Sequence, residues 1–434
     1  MKDIEGIFVH ISLFLLIFSV SAFGAQEIAI NARTILPISN VPIENGTILI
    51  KDGKIAALGQ NIAVDSDARV IDASDKYVMP GMIDAQSRLF VMDRELRESR
   101  SIAPELNILD GLDPYIKEAR EVAAQGVTTI YITPGSRSLI GGSGAILKLN
   151  GTKNIDKMLL NDDVAVKAAI GVSENNESSS LGRLADYSAI REEMLETRIY
   201  MHEKEKHERR QAEYDKEMAE YEKKKEAKPA EKVEKPKRPD RFDTNPTREV
   251  LAKVLSKKVP LQIEAHRVTD ILNALRLADE FGFKLILDGC TEGYMIAGEI
   301  ARRKVPVILG PVSTSFIDMP KLEYRNHDIR NAAILSKKGV KLALGVSGRD
   351  GASSKFIALA GAMAVANGMD KSLALRAVTL TPAEILGVAN KIGSLDVGKD
   401  ADILVLNGHP LDSLSRLEMV LIDGKTVFER EDQQ

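Results

Sequence analysis

Imidazole is scarce in this chain. Its six histidines are His10, His202, His207, His266, His327 and His409, and its one thiol is Cys290. A catalytic transition metal asks for about three good protein ligands and an open position for water. The run Gln262-Ile263-Glu264-Ala265-His266 sets Glu264 and His266 two residues apart, which on a strand turns both side chains to one face. With Asp288 they make a carboxylate-rich candidate set. A single cysteine excludes a disulfide framework and a cysteine zinc site, and Cys290 reads as a packed thiol. Ser347, Ser353 and Ser354 lie in a glycine-containing loop, where a serine nucleophile would need His266 as its base. The glycine-rich stretch from Thr133 to Gly144 could turn backbone N–H groups toward an anion or simply form a tight turn. The chain has neither a Gly-Lys-Ser/Thr phosphate loop nor a Gly-x-Ser-x-Gly elbow.

The elements that must position these residues follow from apolar patterning. Strand candidates near 82–87, 126–132, 143–149, 163–170, 261–265, 284–288, 305–310 and 341–346 alternate with helical stretches. Several lack apolar–polar alternation, as strands buried on both faces do. Eight such units imply a (β/α)₈ TIM barrel, with functional residues at the carboxyl ends of its strands. Short strands at both ends of the chain, two of them hairpins turned by Asp52-Gly53 and Asp423-Gly424, suggest one small β-sandwich. The expected organisation is a sandwich from 25–78 plus 393–434 and a barrel over 79–392.

The apolar run over residues 6–25 ends in small residues and resembles a secretory leader, placed at 1–24. It implies a periplasmic or secreted protein, cleaved between Phe23 and Gln26. A net charge of −4 over 434 residues gives no reason to expect nucleic acid as a partner.

Residues 178–243 interrupt the barrel with a Glu- and Lys-rich stretch. Its first part should be helical, supported by Glu–Lys pairs three and four residues apart. Pro229, Pro236 and Pro239 should then break it into a polar linker. Because it follows the fourth strand, it is expected to rise from the substrate face, as a solvated arm or as a lid or docking arm.

Taken together, residues 80–86, 126–150, 260–272, 285–295 and 380–407 resemble the amidohydrolase superfamily, close to its imidazolonepropionase-like and prolidase-like members. The resemblance covers nearly everything from 27 to 430 and implies a water-activating metal site that hydrolyses C–N bonds. In that pattern the first strand ends in His-x-His, and here those positions are Gln86 and Arg88. Lys167 matches the fourth-strand lysine. Glu264 and Gly289 stand where the fifth- and sixth-strand histidines are expected, and Ser347 where the eighth-strand aspartate is expected. An Arg guanidinium cannot ligate a metal.

The resemblance therefore implies the family's scaffold without its metal ligands. No cofactor is expected. The reading is an exported non-catalytic partner or binding subunit, pairing with an active amidohydrolase paralogue or with itself, or holding a small anion at Arg88 and the glycine loop. The alternative is a hydrolase of amide, peptide or cyclic C–N bonds with a rearranged site built from Lys167, Glu264, His266 and Asp288. Arg88 and Glu264 are expected to pair across the barrel mouth.

Overall fold

Both ends of the chain enter one sheet. In the computed structural model, which describes residues 27–91, 101–136, 138–171, 180–229, 232–313, 322–346 and 351–431, strands β1 (Ile28–Ile35), β2 (Ile43–Lys51), β3 (Lys54–Gly59) and β4 (Arg69–Pro80) combine with β15 (Ile403–Leu406), β16 (Leu417–Ile422) and β17 (Lys425–Glu429). Their order is β17-β16-β15-β4-β1-β2-β3. The leader expected at 1–24 and Ser347 lie outside the described residues. Asp52, Gly53, Asp423 and Gly424 all take positive φ, which is the backbone a two-residue hairpin turn needs. The two turns meet. Ala401 N donates to Gly53 O at 2.8 Å and Gly424 N to Ala401 O at 3.0 Å. The sheet thus curls over a core that includes Ile30, Ile48, Ile55, Ile71, Ile403 and Leu421.

The barrel strands are β5 (Met82–Ser87), β6 (Val127–Ile132), β7 (Ile140–Ser143), β8 (Ala145–Lys148), β9 (Leu159–Asn161), β10 (Val166–Ala169), β11 (Leu261–Ala265), β12 (Leu285–Gly289), β13 (Val307–Leu309) and β14 (Leu342–Leu344). β10 to β14 run parallel in register, as do β5 and β6. The third position departs from the expected parallel barrel. It is filled by β8, antiparallel to β6, continuing from β7, antiparallel to β10. The reason is the connection: only residues 133–139 separate β6 from β7, and a parallel crossover needs a dozen or more residues. Gly144 lets the two halves bend, since a Cβ there would stand 2.7 Å from the Tyr131 ring. Among the described residues no ladder joins β14 to β5. There Ile83 N donates to Val378 O at 2.8 Å.

Helices α1 (Glu118–Ala123), α2 (Ile155–Met158), α3 (Ser180–Ala227), α4 (Pro246–Leu255), α5 (Val268–Phe281), α6 (Ala297–Arg303), α7 (Asn331–Lys337), α8 (Ile357–Ala366), α9 (Lys371–Ala377) and α10 (Leu380–Ile385) complete the chain. The 48-residue α3 corrects the expectation for the arm. Arg183 pairs with Asp270 in the first turn of α5, and Arg191 and Arg198 reach Glu280 and Phe281 at its end. α3 therefore runs the same way as α5, away from the carboxyl ends of the strands. The arm leaves the barrel on the side opposite the candidate site.

The proline-rich return is not a free linker. Half-buried positions recur on the helix at Lys204, His207, Gln211, Tyr214, Met218 and Tyr221, and on the return segment at Val233, Pro236, Pro239 and Phe242. Spacings of three and four suit an α-helix, and a spacing of three suits polyproline II. Phe242 packs on Tyr200 and His207, with ring centroids 5.3 and 5.5 Å apart. The return segment is a strap laid along the helix.

Candidate functional site

β10, β11 and β12 carry the site because their register brings their polar residues together. Lys167 pairs with Gln262, Ala169 with Glu264, and Glu264 with Asp288. Lys167 Nζ lies 2.8 Å from Glu264 Oε2 and also contacts Asp288 Oδ2. Lys167 and Asp288 keep 4% and 2% of their side chains exposed, and Glu264 keeps 15%, so Glu264 is the member open to the mouth. Gln86, at the end of β5, donates its amide to Asp288 Oδ1. Its Oε1 is buried without a hydrogen-bond partner among the described residues. That atom lies where a side chain at Gly310 or Gly345 would begin, so the glycines ending β13 and β14 leave room for Gln86.

His266, just past β11, places Nε2 3.3 Å from Glu264 Oε1 and Nδ1 2.7 Å from Thr291 Oγ1. Its ring meets Tyr324 edge-on, with centroids 4.8 Å apart. Gly289 has φ +78°, and a Cβ there would collide with the His266 ring. The imidazole of strand five thus fills the space above the residue aligned with the sixth-strand histidine. Arg88 is half-buried, and its charge acts on Tyr324. The ion pair on Glu264 comes from Lys167 rather than from the expected Arg88, because β10 is the hydrogen-bonded neighbour of β11 and β5 is not.

Electrostatics follow from this packing. Burial opposes the charge on Glu264, but Lys167 and His266 outweigh it and hold the carboxyl well below its usual range. Burial likewise opposes the Lys167 ammonium, and Asp288 and Glu264 overcome it and raise its pKa. Burial, with Asp288 beside it, pushes the Cys290 thiol up to about 12, which leaves it a packed thiol.

Two site residues, Tyr131 and Gln262, have no counterpart among the sequence candidates, and a third, Ser136, comes from the glycine-rich stretch. Ser136 Oγ donates to Glu264 Oε2. Tyr131 Oη donates to Gln262 Oε1 at 2.9 Å, and Gln262 Nε2 to Asp288 Oδ2 at 2.7 Å. Gln262 was open to detection, since it shares the alternating face of Glu264 and His266.

This arrangement of lysine, glutamate and aspartate on successive parallel strands coincides with relatedness along the chain. Residues 188–427 match the sequence profile of the amidohydrolase family. The chain belongs to the amidohydrolase family. This amidohydrolase-family chain is 27% identical to an imidazolonepropionase of Symbiobacterium thermophilum over 386 residues, 84% of each chain. It is 25% identical to one of Desulfotalea psychrophila over 387 residues, 84% of this chain and 86% of that one. The crystal structure of an amidohydrolase from Thermotoga maritima is similar with a TM-score of 0.77 and 30% identity, over 93% of this chain and 100% of that one. The profile match begins beyond β5, so Gln86 and Arg88 stand outside it.

Proposed function

We propose that this amidohydrolase-family protein is an exported binding or partner subunit whose site is held together by an ammonium in place of a metal. One observation carries the reading: Lys167 Nζ sits between the carboxylates of Glu264 and Asp288, where a dication would have to bind. The donor set does not fit the family's metal. The strand that should supply two imidazoles ends in an amide committed to Asp288 and a guanidinium, and Gly289 offers no side chain. A buried dication beside Lys167 and near Arg88 would be repelled by both. The apolar run at residues 6–25 supports export.

The second reading is a hydrolase of C–N bonds with a rearranged site. It is favoured by the relation to imidazolonepropionases and by Glu264, which contacts both a hydroxyl, Ser136, and an imidazole, His266. Elemental analysis of the purified protein, with assays on imidazolonepropionate and on hydantoin, separates the two. The binding reading expects far less than one equivalent of Zn, Mn, Fe or Co and no turnover with or without added Zn²⁺ or Mn²⁺. A stoichiometric metal that survives dialysis, or turnover lost in Glu264→Gln, would establish the hydrolase instead.

A further inference from the structure

The base of the barrel, at the turns entering β10 to β13, holds a cleft of about 620 Å³, within the range of small-molecule sites. Its floor is apolar, with Leu275 from α5, Phe283 from the turn that follows and Leu386 from the end of α10, all buried. Lys258, Lys284 and Lys304 line the same cleft and are exposed. The carboxylates of the lining already have cations: Asp163 lies 3.4 Å from Lys253, and Asp279 lies 2.8 Å from Arg303. Among the described residues none of the three lysines is ion-paired. Helix dipoles account for a cation just beyond each of α4, α5 and α6. They do not account for an apolar hollow that all three cations line.

We propose that this cleft binds an amphipathic anion, an acidic head group on an apolar body, with the head among Lys258, Lys284 and Lys304 and the body on the Leu275–Phe283–Leu386 floor. The uncompensated charge at the mouth is positive, which selects an anionic head, and burial of the body supplies the non-directional part of the affinity. The cleft opens at the amino ends of the strands, and from its lining residues Pro260 and Lys284 the chain rises about 13 Å along β11 and β12 to Glu264 and Asp288. Its ligand is therefore separate from any bound at the barrel mouth, and separate from the small anion considered for Arg88.

Octanoate is a suitable probe, titrated into the full chain by calorimetry, with octylammonium as the charge control. Saturable one-site binding of octanoate that weakens with salt, and none of octylammonium, is expected. Lys258→Gln with Lys284→Gln and Lys304→Gln should raise the apparent Kd roughly tenfold or more. Ala278→Phe, which fills the cleft from α5, should abolish binding. Absence of saturable octanoate binding at millimolar concentration, equal binding of octylammonium, or affinity unchanged in the triple-lysine variant would each overturn the proposal. The triple-lysine variant alters exposed side chains only, so the test stands if Ala278→Phe fails to fold.

Discussion

The ring of His266, from the fifth barrel strand, lies over Gly289 at the end of the sixth, at a backbone position with φ +78° where a Cβ would strike the imidazole. The two residues are a matched pair, one supplying the ring and the other the space. Gly289→Ala combines a strained positive φ with that clash, and should cost about 1–3 kcal/mol. In a double-mutant cycle, His266→Ala should recover the steric share and leave the backbone share. Equal losses in both backgrounds, measured by urea unfolding, would show that the ring is not the obstacle.

Lys167 holds two carboxylates, the buried Asp288 and the half-buried Glu264. Lys167→Ala should lower stability by about 3–5 kcal/mol, since Glu264 and Asp288 would be left uncompensated. Lys167→Met combined with Glu264→Gln and Asp288→Asn removes the charges together and should be much milder. Chemical denaturation of the single and triple variants gives the comparison. A triple variant as unstable as the single one would mean that packing, not charge, is what Lys167 contributes.

Acid titration should show two opposite signs. Glu264 has a folded pKa depressed below 4.5, so the stability it contributes is present above 4.5 and is lost as pH falls through the folded value. Asp402 behaves the other way. Burial, against the pull of Lys148, raises its carboxyl to about 6, so the folded state takes up that proton first and gains stability as pH falls from about 6 toward 3.8. Urea midpoints across pH should therefore show Asp402→Asn losing ground to the parent between pH 7 and 5. Glu264→Gln should flatten the limb below 4.5. A parent and Asp402→Asn difference that does not vary with pH would place the titration elsewhere.

The strap can be tested by proteolysis. Residues 232–241 carry five Lys or Arg, yet they lie along α3 with Phe242 packed on Tyr200 and His207. Trypsin should cut the parent slowly there, and Phe242→Ala should speed cleavage severalfold at little cost to the barrel. Deleting residues 203–241 should leave the barrel folded, because few apolar groups of the arm reach it. A large fall in Tm on deletion would show that the outer part of α3 and its return segment support the barrel.

The scaffold was legible from local signals in the chain. Apolar runs without alternation marked strands buried on both faces, and the Asp-Gly turns at 52–53 and 423–424 fixed two hairpins, because those signals are local and depend on backbone conformation and burial alone. The alternating face of Glu264 and His266 was legible for the same reason. The tertiary structure alone decided which groups meet. That Lys167 and not Arg88 pairs with Glu264 depends on strand neighbours, and neighbours in space are not spaced in sequence. The reversed third strand turned on a connection too short for a crossover, a limit of chain geometry and not of hydrophobic pattern. The direction of α3 was set by long-range pairs, Arg183 with Asp270 and Arg191 with Glu280, so a charged stretch expected to rise from the substrate face, as a solvated arm or a lid or docking arm, became an arm beneath the site. Its proline-rich return read as a linker because prolines break a helix, and only the helix beside it gives the every-third-residue pattern of Val233, Pro236, Pro239 and Phe242 something to cover.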